Sequence, residues 1–229
     1  MAEKFTIAFD LDDTLYPESE FVLSGFLEVA EFLSDHSEMD HERIFNRLRN
    51  DFERGIRGDN FDRILEDIEA DVKVEELVEL YRSHKPDIEL TTDTKYCLKK
   101  LNNRSISIIT DGKVVKQRKK IDALGIKQLV DHVFVSEEFG SDGSKPSTRM
   151  FEAFLSTTGT EPENSVYIAD NPAKDFIAPN TLGMRSIWVS RSWGEYTDNE
   201  PTVEQETPTC RVEDLRAVSE IIKQWEREV

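Results

Sequence analysis

The sequence predicts an α/β fold: a doubly wound parallel sheet with an α-helical block inserted near its start. Five short apolar, partly β-branched runs recur, at Phe5–Phe9, Ile106–Thr110, Val133–Val135, Val166–Ala169 and Ser186–Val189. Helix-like stretches separate the last four, the alternation expected of βαβ units in a sheet covered on both faces. From about Pro17 to Leu90 no convincing strand appears and the patterns are helical.

Taken in order, the first run leads directly into Asp10-Leu11-Asp12-Asp13-Thr14. The insertion then shows four helical periodicities. Phe21, Val22, Phe26, Val29, Ala30 and Leu33 suit the first, and Ile44, Phe45, Leu48 and Phe52 the second. Phe61, Ile64, Leu65 and Ile68 suit the third, and Leu77, Val78, Leu80 and Tyr81 the fourth, with Gly55 and Gly58 punctuating the middle. A small bundle set over the sheet is expected. Further on, Val114–Leu124 stops at Gly125, an apolar face of Met150, Phe151, Phe154 and Leu155 stops near Gly159, and Ala173–Leu182 stops at Gly183. Glycine there supplies the left-handed residue that ends a helix. The acidic stretch Thr197–Thr209, with Pro201 and Pro208, reads as a mobile loop. A last amphipathic helix is expected near Val212–Trp225, with Leu215, Val218, Ile221, Ile222 and Trp225 inward. The expected domains are residues 1–16 with 91–229, and the insertion 17–90.

A chain of 229 residues can bury a real core, and 38% hydrophobic with 33% charged residues describes a globular chain with a heavily charged surface. The net charge of -18 repels polyanions, so polymeric nucleic acid and anionic membrane are poor partners, while a small phosphorylated substrate stays possible. Cys97 and Cys210 make neither a disulfide framework nor a zinc pattern, which suits a reducing cytoplasm. No apolar segment is long enough to span a bilayer, and no secretory leader precedes the first strand. Monomer and homodimer both stay open.

The chemistry lies at the strand ends, where open α/β sheets gather ligands. Asp10 and Asp12 bring like charges together at the end of a buried strand, which raises a pKa unless a cation or hydrogen bonds compensate. A divalent metal is the economical compensation, leaving one carboxylate for chemistry. The second run ends in Thr110-Asp111-Gly112, the third leads through Ser136–Ser144 to Lys145-Pro146, and the fourth ends in Asp170-Asn171, with Asp175 beyond. Singly, each has an ordinary reading: turn or cap aspartates, a strand threonine, a solvated lysine, a first-turn acid. Those readings do not predict that all should meet at one sheet edge.

In this order, Asp10-Leu11-Asp12-Asp13-Thr14, Thr110, Lys145 and Asp170…Asp175 resemble the four motifs of haloacid dehalogenase (HAD) superfamily phosphatases, over nearly the whole chain. The resemblance implies a Rossmann-like HAD core with residues 17–90 as a helical cap. It implies Asp10 as the nucleophile that forms an aspartyl-phosphate. Mg²⁺ would be held by the Asp10 carboxylate, the Asp12 backbone carbonyl and Asp170, with Lys145 as a second cation. Asp12 would protonate the leaving group and then take a proton from water, work that calls for a raised pKa. Thr110 and the N–H groups of the turn through Asp111 and Gly112 would receive the phosphate. Asn171 and Asp175 would stand behind, Asp175 orienting Lys145 or a metal-bound water. Relatives that cleave carbon–halogen bonds differ at the Asp12 position, so a phosphatase is implied rather than a dehalogenase.

Two positions depart from the family pattern. Ala169 stands where many relatives have glycine, and Asp111 where cap-bearing phosphatases commonly have asparagine. Asp111 adds negative charge near the phosphate, directed either at substrate hydroxyls or against phosphate binding. The segment Thr110–Gly125 is loosely similar to N-acylneuraminate-9-phosphatase-like and nucleotidase-like members, and its Lys119 and Lys120 read as a solvated helix face. Arg54 and Arg57, in the insertion, are candidates to hold a substrate carboxylate or second phosphate. Tyr16 either lines the entrance or packs at a hinge, and Trp188 and Trp193 support the core or its rim. The expected activity is Mg²⁺-dependent hydrolysis of a small phosphate ester, sugar phosphate ahead of nucleoside 5'-monophosphate. Phosphomutase activity and a non-enzymatic sugar-phosphate or protein-binding module are the rivals.

Overall fold

Each of the five apolar runs forms a strand in the computed structural model, which describes residues 4–228: β1 (Thr6–Phe9), β2 (Ile106–Thr110), β3 (His132–Val135), β4 (Ser165–Ala169) and β5 (Arg185–Val189). A sixth, β6 (Cys210–Val212), joins the edge beyond β5. The order is β3-β2-β1-β4-β5-β6 and every pairing is parallel, so the α/β class expected from the sequence is the one observed. β1 sits between β2 and β4, with Ile7 in register with both Ile106 and Val166. All residues of β1, β2 and β4 are buried, as a sheet covered on both faces requires.

The chain divides into two units. The first, residues up to Glu18 and from Glu89 onward, holds the sheet with α5 (Thr92–Lys100), α6 (Val114–Ala123), α7 (Arg149–Thr158), α8 (Pro172–Asp175), α9 (Ile177–Leu182) and α10 (Val218–Glu228). Met150, Phe151 and Phe154 of α7 pack with Ile109, Tyr167, Phe176 and Trp188 in one buried cluster. Three differences from the sequence reading stand out. α5 has only Cys97 and Leu98 as buried apolar residues, too few for a visible period, and starts because Thr91 caps it by accepting from the Thr94 N–H. The stretch Ala173–Leu182 is two helices, α8 and α9, which meet at Phe176. The last helix begins at Val218, because Cys210–Val212 is spent on β6. The acidic stretch before β6 is held where Asn180 Nδ2 donates to the carbonyls of Gln205 and Thr207, 2.8 Å each.

The second unit, Ser19–Ile88, contains α2 (His41–Glu53), α3 (Asn60–Ile68), α4 (Val74–Ser83) and all of α1 (Glu18–Ser34) but its first residue. Its core is the apolar set read from the periodicities: Phe26, Val29, Leu33, Ile44, Leu48, Ile64 and Leu77. Asp40 starts α2 by accepting from the Arg43 N–H at 3.0 Å. Gly25 lets α1 approach Tyr81 so closely that a Cβ there would lie 2.5 Å from the ring. The buried Asp51 carboxylate is paired with Arg47 and Arg63.

Candidate active site

Because β1, β2 and β4 are neighbours, their carboxyl ends bring Asp10, Thr110 and Asp170 to one place. Lys145 arrives there from the segment after β3. Its Nζ lies 2.7 Å from Asp10 Oδ1 and 2.7 Å from Asp175 Oδ1, and donates to Tyr167 Oη at 3.0 Å. Asp175 is in turn fixed by the Asn171 N–H, which donates to its Oδ2 at 3.0 Å. Burial disfavours charge on Lys145, but Asp10 and Asp175 outweigh it and hold the ammonium pKa well above its usual value. For Asp10 burial wins over Lys145, and its pKa is pushed up to about 7. Asp170 is pushed well above the carboxylate range, by burial first and then by Asp175, Asp10 and Asp13.

Asp10, Asp170 and Asp175 each offer an oxygen within 4.8 Å of the others, all three buried. Burial first, and then the mutual repulsion of the carboxylates, outweigh the neighbouring lysines and keep Asp10 and Asp170 hard to ionise. An all-oxygen, buried, anionic donor set fits a hard divalent cation such as Mg²⁺. Asp170 is itself well held: Thr14 Oγ1 donates to its Oδ1 at 3.2 Å and Trp188 Nε1 to its carbonyl at 2.8 Å.

The sequence expectation for Asp12 is corrected. Its carboxylate does not have a raised pKa; it receives Lys120 Nζ and Tyr16 Oη on Oδ1, both at 2.5 Å, and Gln117 Nε2 on Oδ2 at 2.9 Å. Burial works to raise its pKa, but the Lys120 ammonium and these hydrogen bonds bring it down to about 2. Lys120 is therefore no solvated residue: it is fully buried and pairs also with Glu18 at 3.0 Å. Tyr16 is likewise fully buried, its hydroxyl committed to Asp12. Only Lys119 of that pair is partly exposed.

Gly112 is a second correction. Its N–H donates to Ser136 Oγ at 3.0 Å, so it is not aimed at a phosphate. The φ of 136° at that position explains the glycine. Thr110 Oγ1 accepts from Gln117 Nε2 at 2.6 Å, which leaves its own proton to donate. Asp111 accepts from the Lys145 N–H at 3.0 Å on one oxygen and faces Lys174 Nζ at 3.3 Å with the other. Asn171 Oδ1 caps α8 through the Ala173 N–H at 3.1 Å. A cavity of about 130 Å³ opens over this group, with Asp10, Asp12, Thr110, Asp111, Asp170 and Lys174 in its wall. Arg54 and Arg57 belong to the other unit, where both are exposed. Arg57 there donates to the carbonyls of Phe52 and Ile56 and lies 3.9 Å over the Phe52 ring.

Sequence reasoning missed Lys120, Gln117, Tyr167 and Lys174. Gln117 and Lys120 stand three apart, on one helix face, a spacing that could have flagged them as a pair. Asp13 is also more than a turn residue. It has a left-handed φ of 54°, and its two oxygens accept from the Glu18 and Glu195 N–H groups at 2.8 and 3.1 Å. Arg191 steadies the same loop, its Nη2 donating to the Thr14 carbonyl at 2.8 Å while Nη1 pairs with buried Asp93 at 2.5 Å.

The model of the haloacid dehalogenase-like hydrolase family matches residues 7–189. The chain belongs to this family. It is similar to the glyceraldehyde 3-phosphate phosphatase of Methanocaldococcus jannaschii, 29% identical over 97% of this chain and 98% of that protein. The phosphoserine phosphatase of Thermus thermophilus is 32% identical over 50% of this chain and 43% of that protein. Among solved structures, the HAD phosphatase of Thermococcus onnurineus superposes with a TM-score of 0.62 at 21% identity, covering 95% of this chain and 97% of that one. Membership of a hydrolase family makes this chain an enzyme of the hydrolase class.

Proposed function

We propose that the chain is an Mg²⁺-dependent phosphatase that hydrolyses a small sugar phosphate through an aspartyl-phosphate on Asp10. The observation that carries this reading is the junction of Asp10 with Lys145 and Asp170 at the ends of adjacent strands, beside the hydroxyl of Thr110. Asp10 and Asp170, with the Asp12 main-chain carbonyl, are the groups assigned to the cation. When bound, Mg²⁺ would supply positive charge that offsets the phosphoryl oxygens. In the first half-reaction an Asp10 oxygen forms a bond to phosphorus while the bond to the leaving oxygen breaks. Lys145 holds the Asp10 carboxylate in place, and Thr110 donates to a phosphoryl oxygen. Asp12 protonates the departing oxygen, then receives the proton of the water that releases phosphate from Asp10. Held ionised by Lys120, Asp12 is set for the second of these tasks. An entering phosphate dianion raises the proton affinity of a neighbouring carboxylate and so favours the first.

The full-length relatives named glyceraldehyde 3-phosphate phosphatase support a short phosphorylated sugar ahead of a nucleotide. Substrate choice is assigned to the inserted helical unit acting as a cap, residues 17–90, with Arg54 and Arg57 as its anion-binding candidates. Free Cys97 and Cys210 fit the proposed cytoplasmic site of action. The test is a phosphate-release screen over triose and larger sugar phosphates, phosphoserine and nucleoside monophosphates, with Mg²⁺ and with chelator. The reading predicts release that is fastest on sugar phosphates, stops with chelator and stops in Asp10→Asn. Turnover that survives chelation or Asp10→Asn refutes the mechanism, and transfer of phosphate to a second sugar instead of water would favour a mutase.

A further inference from the structure

The resemblance implies Lys145 as the cation beside the phosphoryl group, yet here its ammonium is enclosed by Asp10, Asp175 and Tyr167, and its side chain is 1% exposed. It is absent from the wall of the cavity, whereas Lys174 is part of that wall. Lys174 sits on α8, between the Asp170-Asn171 pair and Asp175, and its side chain keeps 35% of its surface open. Its ammonium meets Asp111 at 3.3 Å, longer than the 2.7–2.9 Å usual for a charge-assisted bond. Asp111 itself is anchored from the other side by the Lys145 N–H.

We propose that Lys174 is a substrate-binding residue whose ammonium leaves Asp111 to contact the phosphoryl oxygens of the incoming phosphomonoester dianion. Asp111, the aspartate at a position where asparagine is common, is the bracket that keeps Lys174 at the cavity wall between turnovers. A phosphoryl dianion offers more charge and more acceptor oxygens than the carboxylate it displaces, so the exchange is favourable once substrate is in the cavity. No bond is made or broken in it. The assignment rests on the phosphatase reading given above and adds a binding residue to those that the resemblance assigns a role.

Binding of inorganic phosphate tests it directly, because phosphate carries the phosphoryl oxygens and no leaving group. Calorimetric titration of the Mg²⁺-loaded protein with inorganic phosphate, together with steady-state kinetics on the best sugar phosphate, should be run on Lys174→Met, Lys174→Arg and Asp111→Asn. Lys174→Met should weaken phosphate binding and raise KM roughly tenfold to a hundredfold, with a smaller change in kcat, as expected for loss of a charge-assisted contact. Lys174→Arg should recover most of that loss, and Asp111→Asn, which removes the competing anion, should tighten phosphate. Phosphate affinity unchanged in Lys174→Met overturns the proposal, even if KM for a substrate with a second anionic group rises, since the contact would then lie with the leaving group. Looser phosphate binding in Asp111→Asn overturns the bracket role. Absence of turnover in the parent protein would count against the phosphatase reading instead, while the calorimetry would still decide the contact.

Discussion

At Asp10 two opposing effects meet in one carboxyl group. Burial beside Asp175 resists ionisation, Lys145 favours it, and the balance leaves the pKa at about 7. The sign of the consequence is fixed by linkage. A carboxyl whose folded pKa is raised from 3.8 to about 7 favours the folded state at low pH, and that contribution is lost as pH rises from about 4 through 7. In chelator, the protein should therefore lose thermal stability between pH 5 and pH 8. Added Mg²⁺ should raise the melting temperature more at pH 8 than at pH 5, where the ion must displace a proton from Asp10. Calorimetric scans of the wild type and Asp10→Asn check this, with the variant showing a flatter pH dependence. A larger effect of Mg²⁺ at pH 5 would contradict the assignment of Asp10 as a ligand.

Helix α6 shows how one element serves both packing and chemistry. Gln117 and Lys120, one turn apart, are both buried and both reach Asp12, while Lys120 also engages Glu18. Removing a buried partner of an ion pair costs about 3–5 kcal/mol. Asp12 and Glu18 keep some exposure, and Asp12 keeps Tyr16 and Gln117, so Lys120→Met should cost less, about 2–3 kcal/mol, in urea denaturation at pH 7. Asp12 also has an acid limb. Its pKa is lowered from 3.8 to about 2, so it stabilises the fold above pH 4, and that contribution is lost as pH falls toward 2. Lys120→Met should flatten this limb; an unchanged limb would mean that Tyr16 and Gln117 alone hold the carboxylate. The position of α6 was legible in its apolar residues and its closing glycine. The burial of Lys120 was not, because a lysine beside three other basic residues reads as solvent-facing until its partner Asp12, distant in sequence, is placed. The same limit applies to α5 and β6, whose short, half-polar sequences acquire structure from the sheet and helices they join.

Over the whole molecule, the net charge of -18 opposes the approach of a phosphate dianion. Repulsion over distances beyond the immediate site is screened by salt, with a Debye length of about 10 Å at 0.1 M. At constant free Mg²⁺, kcat/KM for a phosphomonoester should therefore rise about two- to threefold as ionic strength goes from roughly 0.02 to 0.2 M. A fall instead would show that the cations at the site, Lys174 among them, govern encounter. The same long-range view explains what the sequence alone determined about this protein. It determined the parallel α/β class, the helical insertion and the convergence of Asp10, Thr110, Lys145 and Asp170, because strand ends and apolar periodicity are local properties and the strand order follows from few permitted topologies. The tertiary structure alone decided the charge state of Asp12, the burial of Lys120, the enclosure of Lys145 and the presence of Lys174 at the cavity. Each of these depends on which charged groups meet in a low-dielectric interior, and such groups are brought together only by folding.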